Sequence, residues 1–342
     1  MTRSAGQSAG RFVRTAFVAL VAAVAWSAGE ARAQSKPLEV IAFGGAPNWP
    51  LWIAEEQGFF AKNNIAIHFT QATGSVPLFQ GLVTGKYDIA ITAIDNSIAY
   101  MEGQGEVELP AKPDLIAVMG GMAGALQVFA LPEIKAYADL KGKPVGVDAK
   151  TTGFAFVTMK MIEVGGVKPA DYTLESVGGT PFRAKALDEK KIAATLLYSP
   201  FDLPLRAKGF TYLGSVSAIG NYQAFVGTVQ KQWAKDNSDR LVGFIRSWVQ
   251  AVDFLYDPKN KEAALSNAMK NAKVDRAGAE NVYQTLLGEK EGLQRKGKID
   301  LNGIRTVLKL RSEYGTPKKD LSNVDPAKYV DETWYKQAIA AK

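Results

Sequence analysis

Cysteine is absent from the 342 residues of this chain, and its absence excludes several kinds of site. Without it there is neither a disulfide framework nor a thiolate metal site. No cysteine can carry a lipid at a leader junction, so we expect a mature protein that is not lipid-anchored. Histidine is nearly as scarce: His68 stands alone and alternates with Ile67 and Phe69 on an expected strand. Metal-ligand clusters and glycine-rich phosphate fingerprints are also missing. We therefore predict no catalytic residues, no metal and no cofactor.

An export leader is predicted over residues 1–33. A stretch with three arginines precedes an apolar run at residues 17–26 that is too short to span a bilayer, and A-R-A at 31–33 suits cleavage. An uncleaved membrane anchor is the alternative. The leader holds four arginines and one glutamate, so cleavage lowers the formal charge from +7 to +4. Such a mild charge without basic clusters predicts no nucleic-acid partner, and we expect the mature chain in the periplasm.

Strand and helix patterns alternate through the first two thirds of the mature chain. In its first part we expect strands at residues 38–43, 65–69, 87–94 and 114–119, the last ending at Gly120-Gly121, and helices at 50–57 and 77–83. Asp95, Asn96 and Ser97 are expected to cap a further helix. In its second part we expect strands near 145, 173, 192–197 and 212, and helices near 154, 182 and after 200. From about Gln230 the pattern changes to long amphipathic helices.

This order of elements predicts an α/β fold with two lobes, each a mainly parallel sheet flanked by helices. We expect residues 34–124 and 227–342 to form lobe 1, with the C-terminal helices covering its sheet, and residues 125–226 to form lobe 2. Two crossings, near 123–126 and 224–228, would act as a hinge. The ligand site is then expected in the cleft between the lobes of a monomer.

Residues 139–154 form the most informative segment, because they predict a turn, a buried strand, a polar loop and a helix start. Thr151, Thr152 and Gly153 would stand where the first N–H groups of that helix lack partners. Such a helix start suits a small anion or a hydrogen-bond acceptor. Simple capping of the helix by Thr151 or Thr152 is the alternative.

Several segments, in this order, resemble a known family. They are G-F-F-A-K-N-N-I at residues 58–65, G-L-V-T-G-K-Y-D-I at 81–89, and D-L-K-G-K-P-V-G-V at 139–147 followed by T-G-F at 152–154, with Pro200, Asp202 and Gly209 in the next unit. The chain resembles solute-binding proteins of ABC importers, in the nitrate/sulfonate/taurine group with its NMT1/THI5-like relatives, over roughly residues 38–260. The resemblance implies a two-lobed periplasmic binding protein fold of type II that delivers its ligand to an inner-membrane permease.

The pocket loops of that family, carried over to this sequence, give sixteen candidate ligand contacts. Packing for Trp49, capping for Gly74, Ser75 and Val76 and for Asp95, and a solvated helix face for Arg183 remain the alternatives. The candidates are Asn48, Trp49, Gly74, Ser75, Val76, Asp95, Asn96, Thr151, Thr152, Gly153, Phe154, Thr180, Arg183, Ser199, Phe201 and Asp202.

Helix starts and Arg183 favour an anionic group on the ligand, and Trp49, Phe154, Phe156 and Phe201 suit an organic body. We expect a small sulfonate or carboxylate, with aromatic bodies included, rather than nitrate or bicarbonate. A pyrimidine or thiamine precursor is the alternative ligand. Some relatives build a pyrimidine, consuming a histidine after the third strand and using a cysteine-rich stretch. Asn96 and the cysteine-free residues 221–225 argue against that activity here. A sensory binding protein without transport is a third possibility.

Overall fold

The computed structural model describes residues 36–288 and 291–340, and these residues form two five-stranded sheets. The strand order is β2-β1-β3-β10-β4 in the first sheet and β7-β6-β8-β5-β9 in the second. Lobe 1 denotes the part built on the first sheet, and lobe 2 the part built on the second. The strands are β1 (Leu38–Ala42), β2 (Ile67–Gln71), β3 (Ile89–Ala93), β4 (Leu115–Met122), β5 (Gln127–Ala130), β6 (Pro144–Val147), β7 (Thr173–Ser176), β8 (Ala194–Leu197), β9 (Thr211–Ser215) and β10 (Phe225–Gln230).

Four strands of each sheet run in the same direction. In lobe 1, β1 pairs in parallel with β2 and β3, while β10 is antiparallel to β3 and β4. In lobe 2, β6 pairs in parallel with β7 and β8, while β5 is antiparallel to β8 and β9. The predicted α/β fold with two mainly parallel sheets is confirmed. The antiparallel strand of each sheet is the one that follows a crossing from the other lobe.

Helices connect the strands and cover both sheets. The 19-residue helix α9 packs on α1 and α13 and buries Leu241, Phe244 and Trp248. Burying each such side chain contributes about 1.5–3 kcal/mol. The helices are α1 (Trp49–Glu56), α2 (Phe59–Lys62), α3 (Ser75–Val83), α4 (Ile94–Met101), α5 (Gly153–Val164), α6 (Thr180–Asp188), α7 (Leu203–Ala207), α8 (Lys231–Asp236), α9 (Ser238–Tyr256), α10 (Lys261–Ala272), α11 (Arg276–Leu286), α12 (Leu301–Tyr314) and α13 (Thr333–Ala340).

Two local predictions for lobe 1 are wrong. Asp95, Asn96 and Ser97 do not cap α4 but lie inside it, since α4 begins at Ile94 directly after β3. The fourth strand does not end at Gly120 but continues to Met122. Gly120 is needed there for close approach rather than for a turn, because a Cβ at this position would lie 2.5 Å from the carbonyl oxygen of Lys298.

The chain passes between the sheets twice, as predicted. The first crossing, from β4 to β5, occupies residues 123–126. The return, from β9 to β10, occupies residues 216–224 and so comes earlier than predicted, because β10 already begins at Phe225. The C-terminal part of the chain holds the first crossing: the N–H groups of Ala123 and Gly124 donate to the carbonyls of Gly292 and Glu291 at 3.0 and 2.8 Å.

The predicted leader lies outside the described residues. Within the described part of the chain, no helix has the length and apolar character needed to cross a membrane.

Candidate functional site

A cavity of about 380 Å³ lies between the two lobes, where strand ends of both sheets face each other. The centre of a water molecule can occupy only about 20 Å³ of it, room for one or two waters, so the lobes are closed on one another. The lining residues are Phe43, Ala93, Asn96 and Phe225 from lobe 1, and Asp148, Thr152, Phe154, Gly179, Thr180, Arg183 and Tyr198 from lobe 2.

Arg183 gives this cavity a buried positive charge, since its residue is only 2% exposed. Its Nη1 donates to the Gly178 carbonyl at 2.9 Å, and its Nη2 donates to Thr180 Oγ1 at 3.0 Å and to the Leu196 carbonyl at 3.1 Å. Within the described residues its Nε has no partner, and no carboxylate lies within ion-pair distance. Burial lowers the pKa of Arg183, and the charge of Asp148 opposes this. A buried guanidinium without a carboxylate partner suits an anion.

The start of α6 adds to this positive potential. Gly179, at the cap position, has no side chain that could accept from the helix, and Pro181 has no N–H to donate. Thr180 is the first residue of the helix, so its N–H has no partner within α6. The positive end of the helix dipole and Arg183 therefore act on the same side of the cavity.

The start of α5 differs because the protein supplies its own carboxylate there. Thr152 caps the helix: its Oγ1 accepts from the Ala155 N–H at 3.4 Å and donates to Asp148 Oδ1 at 2.6 Å. Asp148 is the first residue after β6 and lines the cavity. Thr152 therefore caps its helix and also borders the cavity, so its capping role does not exclude it from the candidate site.

A second cavity of about 460 Å³ adjoins the first and shares Phe43, Asp148 and Gly179 with it. The first residues of α3 and the carboxylate-bearing Glu106 also line it. Burial raises the pKa of Glu106, the charge of Asp148 raises it further, and a hydrogen bond with Ser75 opposes both. Two carboxylates face this space, so it favours a hydrogen-bond donor or a cation.

Aromatic rings from both lobes form the walls of the first cavity. The ring of Phe225 in lobe 1 meets the rings of Phe154 and Tyr198 in lobe 2 edge-on, at centroid distances of 5.9 and 5.7 Å. The Tyr198 hydroxyl donates across the cleft to the Gly44 carbonyl at 3.1 Å. Such a cage suits an apolar, flat ligand body.

Half of the sixteen predicted contact residues border these cavities, and the other half lie elsewhere. The bordering residues are Gly74, Ser75, Val76, Asn96, Thr152, Phe154, Thr180 and Arg183. The remaining residues are Asn48, Trp49, Asp95, Thr151, Gly153, Ser199, Phe201 and Asp202.

Asn48 and Trp49 pack within lobe 1. The Asn48 side chain donates to the Phe43 carbonyl at 2.6 Å, which ties the end of β1 to the start of α1. Trp49 is fully buried and meets Tyr283 of α11 edge-on at 6.1 Å. Both side chains therefore support the loop that carries Phe43 into the cleft.

Ser199, Phe201 and Asp202 lie between β8 and α7 and hold the start of α7. Ser199 donates to Asp202 Oδ1 at 2.9 Å, and Asp202 also accepts from Arg206 Nε at 2.9 Å. Phe201 packs edge-on against Tyr198 at 5.8 Å. These contacts support Tyr198, which does line the cavity.

Asp95, Thr151 and Gly153 meet one another around Arg311 of α12. Arg311 Nη1 lies 2.7 Å from Asp95 Oδ2, and both side chains are buried. Burial raises the pKa of Asp95, and Arg311 opposes this rise. All sixteen residues stay predictions as ligand contacts.

A model of the family described as NMT1/THI5 like matches residues 48–261. The chain belongs to this family. The matched span includes all of lobe 2 and most strands of lobe 1. No curated protein sequence matches the chain.

Solved structures show that the NMT1/THI5-like chain shares its fold with binding proteins. A protein from Bordetella bronchiseptica RB50 superposes with a TM-score of 0.74 at 22% identity, over 90% of this chain and 98% of that one. The periplasmic nitrate-binding protein NrtA from Synechocystis PCC 6803 gives 0.73 at 13% identity, over 89% and 88%. The alkanesulfonate-binding protein SsuA from Xanthomonas axonopodis pv. citri, bound to MOPS, gives 0.65 at 15% identity, over 81% and 93%.

Sequence reasoning missed several residues of the site in this NMT1/THI5-like protein. Phe43 and Asp148 each follow a strand directly, so the rule that ligands bind at strand ends could have found both. Tyr198 also follows its strand, β8. Phe225 carried no such signal, because it opens a strand that was not predicted.

His68 lies on β2 at the edge of the first sheet, and its Nδ1 is 2.8 Å from Glu39 Oε2. Its side chain is 67% exposed and does not border either cavity. Among the described residues, no three metal-ligating side chains come together.

Proposed function

We propose that this NMT1/THI5-like protein is the periplasmic solute-binding component of an ABC importer and holds a small organic anion between its lobes. The observation that carries the proposal is Arg183, a buried guanidinium at a helix start with an unpartnered Nε. An acidic group placed there would complete the hydrogen bonds of Arg183 and meet the positive end of α6.

The aromatic cage supports an organic ligand over an inorganic one. Nitrate has no apolar body that could contact the rings of Phe154, Tyr198 and Phe225, whereas an aromatic sulfonate or carboxylate has one that could contact them once the lobes part. The sulfonate-binding and nitrate-binding proteins that share the fold support an anion as ligand. We also expect the protein to act as a monomer and to deliver its ligand to a membrane permease.

A second candidate ligand is an amino-substituted pyrimidine, such as a thiamine precursor. Asp148 and Glu106 favour it because they offer acceptors to amino groups in the second cavity. Pyrimidine synthesis is the least supported function. Asn96 borders the cavity at the position where the resemblance implies a histidine in the synthesising relatives.

A thermal-shift panel on the protein purified from the periplasm tests the proposal. The panel contains benzenesulfonate, benzoate, nitrate, an aminopyrimidine and uncharged benzyl alcohol. We expect the organic anions to raise the melting temperature by mass action. An increase with the aminopyrimidine alone would establish the second candidate and overturn the first.

The transport role needs a separate experiment in cells. Crosslinking of the periplasmic protein followed by mass spectrometry should recover an inner-membrane permease. Specific crosslinks to a membrane sensor protein and none to a permease would overturn the transport role.

A further inference from the structure

Arg311 lies where α12 meets both lobes. On the side of lobe 1 its Nη1 pairs with Asp95, and its Nε donates to Gln104 Oε1 at 2.9 Å. On the side of lobe 2 its Nη2 donates to the Thr151 carbonyl at 3.4 Å, and its guanidinium lies 5.1 Å from the centroid of the Phe156 ring. One buried side chain thus touches the first turn of α5 from the opposite lobe.

Gly153 completes this contact by having no side chain. A Cβ built on Gly153 would lie 2.2 Å from Cγ of Asp95, far inside van der Waals contact. Gly153 is the first residue of α5 and is not among the glycines with a positive φ angle, so close approach and not backbone conformation requires glycine there. The Asp95 carboxylate therefore abuts the positive end of α5 directly.

We propose that Asp95 and Arg311 are positioning residues that dock the first turn of α5 onto lobe 1, and that this docking brings Thr152 and Phe154 to the ligand. The docking stands on the interlobe contacts alone, whereas its effect on affinity rests on the function proposed above.

The physical character of the contact suits reversible closure. α12, which carries Arg311, contacts both α4 of lobe 1 and α5 of lobe 2, so Arg311 reaches Asp95 and the first turn of α5 at the same time. A buried ion pair gives little net stability beyond its desolvation cost, but it accepts only a matching partner. Here the matching partner is the start of α5, with Gly153, the Thr151 carbonyl and the ring of Phe156.

Gly153→Ala tests the docking with little risk to folding. Alanine is a better helix former than glycine, so lobe 2 keeps its stability, while the added methyl group collides with Asp95 on closure. The chain lacks cysteine, so Lys112→Cys and Glu175→Cys, at exposed positions of the two lobes, allow spin labels at chosen sites. Without ligand, we expect Gly153→Ala to shift the distribution of label distances to longer values.

Two further variants separate docking from general packing. Tyr314→Phe removes the 2.5 Å hydrogen bond from α12 to Glu163 at the other end of α5. This contact joins the same two helices but does not involve the first turn of α5, so the distances should stay unchanged. Asp95→Asn with Arg311→Met removes both charges without leaving one unpaired, and it should open the cleft as Gly153→Ala does. Unchanged distances in Gly153→Ala, or equal opening in Tyr314→Phe, would overturn the docking.

Binding of benzenesulfonate is measured on the same variants. We expect its Kd to rise at least tenfold in Gly153→Ala and to stay constant in Tyr314→Phe. If the unsubstituted protein does not bind benzenesulfonate or any other organic anion, the proposed function fails, while the label distances still decide the docking. If Gly153→Ala opens the cleft but binds benzenesulfonate normally, the link from docking to the ligand is wrong.

Discussion

The starts of α5 and α6 face the same cleft from the same lobe, yet their surroundings differ in charge. The start of α5 meets two carboxylates of the protein, Asp148 through Thr152 and Asp95 through Gly153. The start of α6 meets no carboxylate within ion-pair distance among the described residues and carries the buried Arg183 instead. Two helix starts that share the same predicted strand–loop–helix pattern therefore have different roles.

The difference in charge between the two helix starts indicates where an anion can bind. A helix start attracts negative charge only while that charge is not already supplied. At α5 the protein supplies it, and the helix start serves contact between the lobes. At α6 no carboxylate of the described residues lies within ion-pair distance, so the ligand is free to supply the charge. Substitutions of Asp95, Arg183, Asp148 and Thr152 test this difference between α5 and α6, and their expected effects decrease in that order.

Asp95→Ala should be the most damaging change, because it leaves Arg311 buried without its partner. We expect a loss of about 3–5 kcal/mol in the free energy of unfolding, measured by urea denaturation. Asp95→Asn combined with Arg311→Met should lose much less. Equal losses in the two proteins would show that the charge of Arg311 is not what matters.

Arg183→Met should abolish the anion site at α6. Charge-assisted hydrogen bonds to a bound acid are lost, so the Kd for benzenesulfonate should rise about 100-fold, equivalent to about 3 kcal/mol. Isothermal titration checks this, with Arg276→Met as the control, since Arg276 is an exposed arginine that pairs with Glu262 away from both cavities. A similar loss in both variants would count against a specific role for Arg183.

Asp148→Asn should change ligand preference while conserving shape. The amide can still accept from Thr152, but a negative charge leaves both cavities. At an effective dielectric constant of about 20, removing a like charge about 10 Å away is worth roughly 1.7 kcal/mol. We expect about tenfold tighter binding of benzenesulfonate and weaker binding of an aminopyrimidine. Glu175→Gln, on the exposed edge of lobe 2, should change neither.

Thr152→Ala should have the smallest effect, the loss of the α5 cap. We expect about 1 kcal/mol less stability in urea denaturation, and Thr152→Ser should restore most of it because serine keeps the capping oxygen. If serine does not restore stability, the methyl group of Thr152 and not its hydroxyl stabilises the helix start.

Most of the fold could be predicted because its signals are local. Alternating apolar patterns and turn residues marked most strands, including the parallel ones on which the site is built. β10 was missed because Phe225 and its neighbours pair with β3 and β4, which lie more than 90 residues away in the sequence. Gly120 was misread as a turn because its purpose, close approach to Lys298, depends on the C-terminal part of the chain.

The candidate site could be predicted at its helix starts and not in its charges. Thr152 was predicted from its strand–loop–helix pattern, and Thr180 and Arg183 from the pocket loops that the family resemblance implies. Their roles depend on partners that the patterns do not contain. The Asp95–Arg311 pair joins residues 216 positions apart, and no local pattern marks Arg311. Trp49 looked like a cavity wall, but the C-terminal helices bury it.

A crystal structure with the organic anion that stabilises the protein most in the thermal-shift panel would show directly whether Arg183 and the start of α6 form the anion site. We expect the acidic group within hydrogen-bond distance of Arg183 Nε and the Thr180 N–H, with its organic body between Phe154, Tyr198 and Phe225. An acidic group bound at the start of α5 or outside the cleft would contradict the proposed anion site at Arg183.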